Sequence, residues 1–119
     1  MKRRLRLRRR SDFSAAIGGR RFHQGPALVG FAVPNEAGES RVGVTVSRNI
    51  KTAPERNRAR RRLREVARTE LLGDGSPLRR VGIRYDVVLI ARVPILKVSF
   101  ADLRAEASHA ALRLANTKP

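Results

Sequence analysis

Apolar residues recur along the chain in two rhythms, one of strands and one of helices. From Ala27 to Val33, "ALVGFAV", they are nearly continuous; from Arg41 to Ser47, "RVGVTVS", they alternate, with Val42, Val44 and Val46 on one face. Both runs predict strands, and the turn-rich "PNEAGES" between them predicts a hairpin. "YDVVLIAR", Tyr85 to Arg92, is the most apolar run and predicts a central strand buried on both faces. Helical spacing appears three times. Ser11 reads as the N-cap of a short helix over "DFSAAIGG", with Phe13, Ala16 and Ile17 on one face and Gly18-Gly19 ending it. Thr52 and Glu55 form a capping-box pair, Pro54 falls in the first turn, and Gly73 follows Leu72 as a stop. Steps of about 100° place Ala59, Leu63, Val66, Ala67 and Leu71 of that second helix on one stripe, which would pack on a sheet. Ser99, with Asp102 three residues on, caps a third helix whose stripe is Phe100, Leu103, Ala107, Ala110, Ala111 and Leu114. The predicted order is helix, two or three strands, basic helix, strand, helix.

Length adds that all of this belongs to one domain, residues 1–119, with 1–10 a basic, flexible amino-terminal arm. The Gly- and Arg-rich stretch from Gly73 to Arg84 reads as a mobile loop. Cysteine is absent, which excludes disulfides and thiolate metal sites and fits a cytoplasmic location. Charge changes the picture most. The chain carries 27 Lys and Arg against 10 Asp and Glu, a formal +17 that calls for a polyanionic partner. Nucleic acid is the first candidate and an anionic membrane surface the second, but no apolar run approaches the roughly 20 residues of a spanning helix.

The charge concentrates on the second helix. Asn57, Arg58, Arg61, Arg64 and Arg68 fall opposite its apolar stripe, while Arg56 and Arg60 fall at the stripe's edge. Only Glu55 and Glu65 interrupt the run. Like charges at i, i+3 and i+4 cost a few tenths of a kcal/mol per pair, so a face selected for solubility alone would mix its signs. No catalytic constellation accompanies this surface: His23 and His109 have no evident partners, and the acids are scattered through turns and caps.

The stretch "RVGVTVSRNIKTAPERNRARRRLREVAR" resembles the signature region of the protein subunit of bacterial ribonuclease P: a strand ending in Val-Ser, a basic turn, then Arg56-Asn57-Arg58 and "RRRLRE". "RLRLRRRSDF", "YDVVLIAR" and the last helix resemble other parts of that family, so the likeness covers nearly the whole chain. It implies an α+β fold, an αβββαβα sandwich with a four-stranded mixed sheet, related to one found in ribosomal proteins. It also implies a left-handed crossover through the Arg-rich helix, where general rules favour a right-handed one. The catalyst is then an RNA subunit working with Mg²⁺, with no protein-only metal site. The partners are that catalytic RNA and precursor tRNA, with no membrane and no obligate protein partner.

Carried over position by position, the resemblance implies RNA binding by Arg48, Lys51, Arg56, Asn57, Arg58, Arg60, Arg61, Arg64 and Arg68. It further implies a cleft for the single-stranded 5′ leader, lined by Phe13, Ile17, Phe31, Arg56 and Arg60. On the helical wheel, Arg58, Arg61, Arg64 and Arg68 would face the RNA subunit, and Arg56 and Arg60 the cleft. The chain departs from the family at Asn49, where a basic residue is usual, and at Lys51, where glycine is usual. Three other readings stay open on composition: a structural RNA-binding protein, a DNA-binding domain with the Arg-rich helix in a groove, and an autonomous nuclease. The scattered acids and histidines argue against the last.

Overall fold

In the computed structural model, which describes residues 1–117, the chain runs α1 (Arg10–Ile17), β1 (Arg20–Gln24), β2 (Leu28–Asn35), β3 (Arg41–Val46), α2 (Ala53–Val66), β4 (Arg84–Ala91) and α3 (Phe100–Ala115). Positions 118 and 119 of the expected domain lie outside the described residues. The order is αβββαβα, and the strands form one mixed sheet in the order β1-β2-β4-β3. β4 is antiparallel to β2 and parallel to β3, so α2 is the crossover between two neighbouring parallel strands.

That order corrects the expected hairpin. β2 and β3 are consecutive in the chain but not adjacent in the sheet, because β4 lies between them. The true hairpin is β1–β2. β1, "RRFHQ", buries only Phe22 and His23, too few apolar positions to announce a strand by alternation. The centre of the sheet is where the pattern placed it: Tyr85 through Leu89 are all buried.

The main core lies between the sheet and helices α2 and α3. From the sheet come Leu28, Ala32, Val42, Val46, Val87, Leu89 and Ala91. From α2 and the turn after it come Ala59, Leu63, Val66, Ala67 and Leu71, the whole of the predicted stripe. Beyond Val66 the helix widens into a π turn over Ala67–Leu71, closed by the Leu72 N–H donating to the Ala67 carbonyl at 3.0 Å. This keeps Leu71 buried. The stripe of α3 is buried except at Phe100, which opens the helix at the rim and is 42% exposed.

The opposite face of the sheet is only partly covered. α1 lies there, with Ala16 packed on Val88 and Leu7, and Phe13, Val33 and Ile90 around them. The helix starts one residue before Ser11, and Arg9 at its N-cap makes no side-chain hydrogen bond. Two segments expected to be loose are seated. Leu78, in a short 3₁₀ turn at Pro77–Arg79, enters the main core. The amino-terminal arm lies along the open edge of β3: Leu7 is buried, its N–H donates to the Val42 carbonyl at 3.0 Å, and Arg6 bridges to Val42 in parallel fashion. Arg4 adds an ion pair with Glu39 at 2.9 Å. An edge strand left bare invites pairing with other chains, and the arm covers part of this one.

Candidate nucleic-acid interface

α2 begins as its sequence requires. Thr52 accepts from the Glu55 N–H and its hydroxyl donates to the Glu55 carboxylate at 2.9 Å, with Pro54 in the first turn where no N–H is needed. Its arginines then divide by what lies within reach.

Arg56 turns inward. Its guanidinium donates to the carbonyls of Ser47 and Ile50, both at 3.0 Å, and reaches toward that of Val46. It therefore holds the β3–α2 loop, whose other anchor is buried Ile50, and so presents Arg48 and Lys51 outward, both exposed. Arg62 donates to the Val98 carbonyl. Arg68 is paired with Glu65 one turn back, which raises the arginine's pKa and lowers the glutamate's through their shared hydrogen bonds.

Arg58 and Arg61 differ from these. Both are exposed and have no side-chain partner among the described residues. Together with Asn57, Arg60 and Arg64, Arg61 lines a shallow groove along the helix, where Asn57 accepts from Arg60 at 3.2 Å.

Arg60 and Arg64 also form one wall of a cleft of about 320 Å³ beside the sheet. Arg64 thus joins Arg60 at the cleft while still bordering the outer groove with Arg61, the row to which the wheel assigned it. Arg60 and Arg64 are four residues apart, one turn along the same ridge. Burial, joined by the charges of Arg6 and Arg60, pushes the Arg64 guanidinium below its ordinary pKa. The cleft's other walls are Leu7, Phe13, Val42, Gly43 and Val44, with Arg6 and Arg8 from the arm. Gly43 makes room for the aromatic: a Cβ there would come within 2.4 Å of the Phe13 ring.

The sheet carries the apolar surface onward. Phe31 and Gly43 both pair with Val88, from opposite sides of β4, so all three lie in one row across the sheet. Two strand spacings separate Phe31 from Gly43, roughly 10 Å. The half-buried Phe31 ring is packed into neither apolar cluster. Ile17, 42% exposed at the end of α1, is on the same side of the sheet. The structure therefore brings Phe13 and Arg60 together, with Phe31 and Ile17 on the adjoining surface, and directs Arg56 away to the loop carbonyls. Arg6 and Arg8 were missed because a run of basic residues gives no sign of where it docks; the one signal was Leu7 among them.

Two buried ionic groups brace this surface. Asp86 accepts two hydrogen bonds from Arg41, at 2.7 and 2.9 Å, and one from Asn35 at 2.7 Å, tying β2, β3 and β4 together. That bidentate hydrogen bond raises the Arg41 pKa. His23, unassigned by sequence, lies 2.8 Å from Glu106, which also accepts from the Ala27 and Leu28 N–H groups. Burial alone would raise the Glu106 pKa, but those hydrogen bonds outweigh it and hold it below the ordinary value. Among the described residues no three His, Asp or Glu side chains are grouped to hold a metal ion, and no helix is long and apolar enough to cross a membrane.

Fold and surface define a class: a small α+β domain built to bind a polyanion, whose crossover helix carries an unneutralised arginine face beside a cleft bordered by Phe13. Comparison with known proteins narrows it. The sequence pattern of the Ribonuclease P family matches residues 1–115, and the chain belongs to that family. It is 38% identical over 109 residues to a ribonuclease P protein component of Dehalococcoides mccartyi, covering 92% of this chain and 83% of that one. It is 45% identical over 89 residues to that of Ruegeria pomeroyi, covering 72% and 66%. Among solved structures, the RNase P protein of Thermotoga maritima superimposes with a TM-score of 0.71 at 27% identity, covering 91% of this chain and 96% of that one. That of Staphylococcus aureus shares the fold, with a TM-score of 0.69 at 21% identity over 94% and 95% of the two chains. Membership places the chain in tRNA processing, as an RNA-binding component of an RNA-based endonuclease.

Proposed function

We propose that this chain binds the catalytic RNA subunit of ribonuclease P through the outer face of α2 and the 5′ leader of precursor tRNA through the cleft, in the cytoplasm. By doing so it promotes RNA-catalysed removal of the leader. One observation carries the reading: Arg58 and Arg61 are exposed and unpartnered, while Arg60 and Arg64, on the same helix, turn toward a cleft bordered by Phe13. One face fits a folded polyanion, and the other fits a single strand whose bases stack while its phosphates meet guanidinium. Arg48 and Lys51 extend the outer face, with the displaced charge of Lys51 standing in for the one absent at Asn49.

Hydrolysis is assigned to the RNA. Six of the ten acids are held in ion pairs within the described residues: Asp86 with Arg41, Glu106 with His23, Glu39 with Arg4, Glu65 with Arg68, Asp74 with Arg79 and Glu70 with Arg104. Among the described residues the acids and histidines form no group of three that fits Mg²⁺, so the ions would be held by RNA phosphates, and no step runs through a metal on the protein.

Salt tests the binding reading. Contact with about 6 phosphates costs roughly 10³ in affinity for the RNA subunit between about 50 and 200 mM salt. An affinity that stays flat over that range would contradict it.

A further inference from the structure

The arm is the part of the cationic surface that the signature helix does not explain. Leu7 is buried against the sheet, and its N–H is fixed to the Val42 carbonyl. In extended backbone successive side chains point to opposite sides, so Arg6 and Arg8 share the side away from Leu7. Both line the cleft with Arg60 and Arg64, and Leu7 lies between them in its wall. Four guanidinium groups thus surround one cavity, and among the described residues no acidic side chain lines it. Arg6 is close enough to Arg64 for its charge to act on it. Like charges gathered around a partly dehydrated cavity are unfavourable unless an anion joins them. The Phe13 ring borders the cleft beside Gly43, where the edge strand β3 carries no side chain to cover the ring. A ligand that offers acidic oxygens and a flat ring fits both.

We infer that Arg6 and Arg8, held in place by the docking of Leu7 on β3, close the cleft as a clamp for the phosphodiester backbone of single-stranded RNA, opposite Arg60 and Arg64. The inference rests on the reading that the cleft receives RNA, and assigns the arm a specific part in it. The arm is then a wall of the site rather than a tail that adds charge at random, and the leader is the strand it holds.

The test uses the holoenzyme, assembled from this protein and the RNA subunit, with precursor tRNAs bearing leaders of graded length and with mature tRNA. The R6A/R8A variant is compared with R3A/R9A, which removes the same charge from exposed arm positions that do not line the cleft. R6A/R8A is expected to lose about tenfold in affinity for leader-bearing tRNA and none for mature tRNA. Its log–log salt slope should fall by about 1.4, two single-strand phosphate contacts at about 0.7 each. R3A/R9A should show neither change. A loss confined to affinity for the RNA subunit would keep the phosphate clamp and give it to that RNA. Equal behaviour of the two variants in every arm would overturn the inference. If the wild-type holoenzyme itself fails to distinguish precursor from mature tRNA, it is the leader reading of the cleft that fails.

Discussion

Arg56 and Arg61 lie five residues apart on one helix and do opposite things. Arg56 finds two backbone carbonyls at 3.0 Å and becomes part of the fold, whereas Arg61 finds no acceptor and remains a surface charge. Residue type does not separate them, and helical position puts Arg56 only at the stripe's edge, where Arg60 also falls; the β3–α2 loop folding back over the start of α2 gives Arg56 its acceptors. In a basic protein, then, the arginines available to a ligand are those whose donors the protein leaves unused.

The sharpest way to break this comparison is to remove Arg58 and Arg61 together. The R58A/R61A variant is expected to lose roughly 100-fold in affinity for the RNA subunit, about 1.5 kcal/mol for each hydrogen bond to a charged group. Its urea midpoint should not fall, since relieving like-charge repulsion adds only a few tenths of a kcal/mol. Binding curves and equilibrium unfolding check both. Phe31→Ala comes next, extending the contrast from charge to stacking. It should cost about 1–3 kcal/mol in affinity for precursor tRNA and little for mature tRNA. Equal losses for both substrates would detach Phe31 from the leader.

Arg56→Ala gives the converse of the first variant. Losing hydrogen bonds to half-buried carbonyls should lower unfolding free energy by about 1–2 kcal/mol, with any loss of RNA binding following from the loosened loop. A variant as stable as wild type would remove the distinction between the two arginines.

How far the sequence foresaw this division follows from what local patterns encode. The caps at Thr52 and Ser99 and the buried stripe of α2 were legible because each depends on residues within a turn or two of one another. Insertion of β4 between β2 and β3 was not, since alternation reports which face of a strand is buried and not which neighbour it takes. The candidate site divides along the same line. Position on the wheel placed Arg58 and Arg61 on the outer face, but Arg56's acceptors, Arg64's turn toward the cleft and the docking of Leu7 arise from tertiary contacts. Resemblance to a family supplied Phe13 and Phe31, which periodicity alone would have left as ordinary core and sheet residues.

A smaller effect concerns the frame rather than the surface. The Glu106 pKa is held below its ordinary value in the folded chain, so the carboxylate's contribution is fully present above the unfolded pKa, about 4.3. It is lost as pH falls from there through the folded pKa. Glu106→Gln should therefore reduce stability at neutral pH and flatten its decline in acid, as measured by urea midpoints across pH. An unchanged acid slope would show that the contacts with His23, Ala27 and Leu28 are not what couples folding to protonation.

The most direct measurement is cleavage of a precursor tRNA at low Mg²⁺ by a bacterial ribonuclease P RNA, with and without this protein, beside the protein alone. Faster cleavage at the mature 5′ end with the protein present, and none from protein alone, is the result expected of an RNA-binding subunit that leaves the chemistry to RNA. Binding without stimulation, where a control holoenzyme is active, would contradict that account and leave a structural RNA-binding protein.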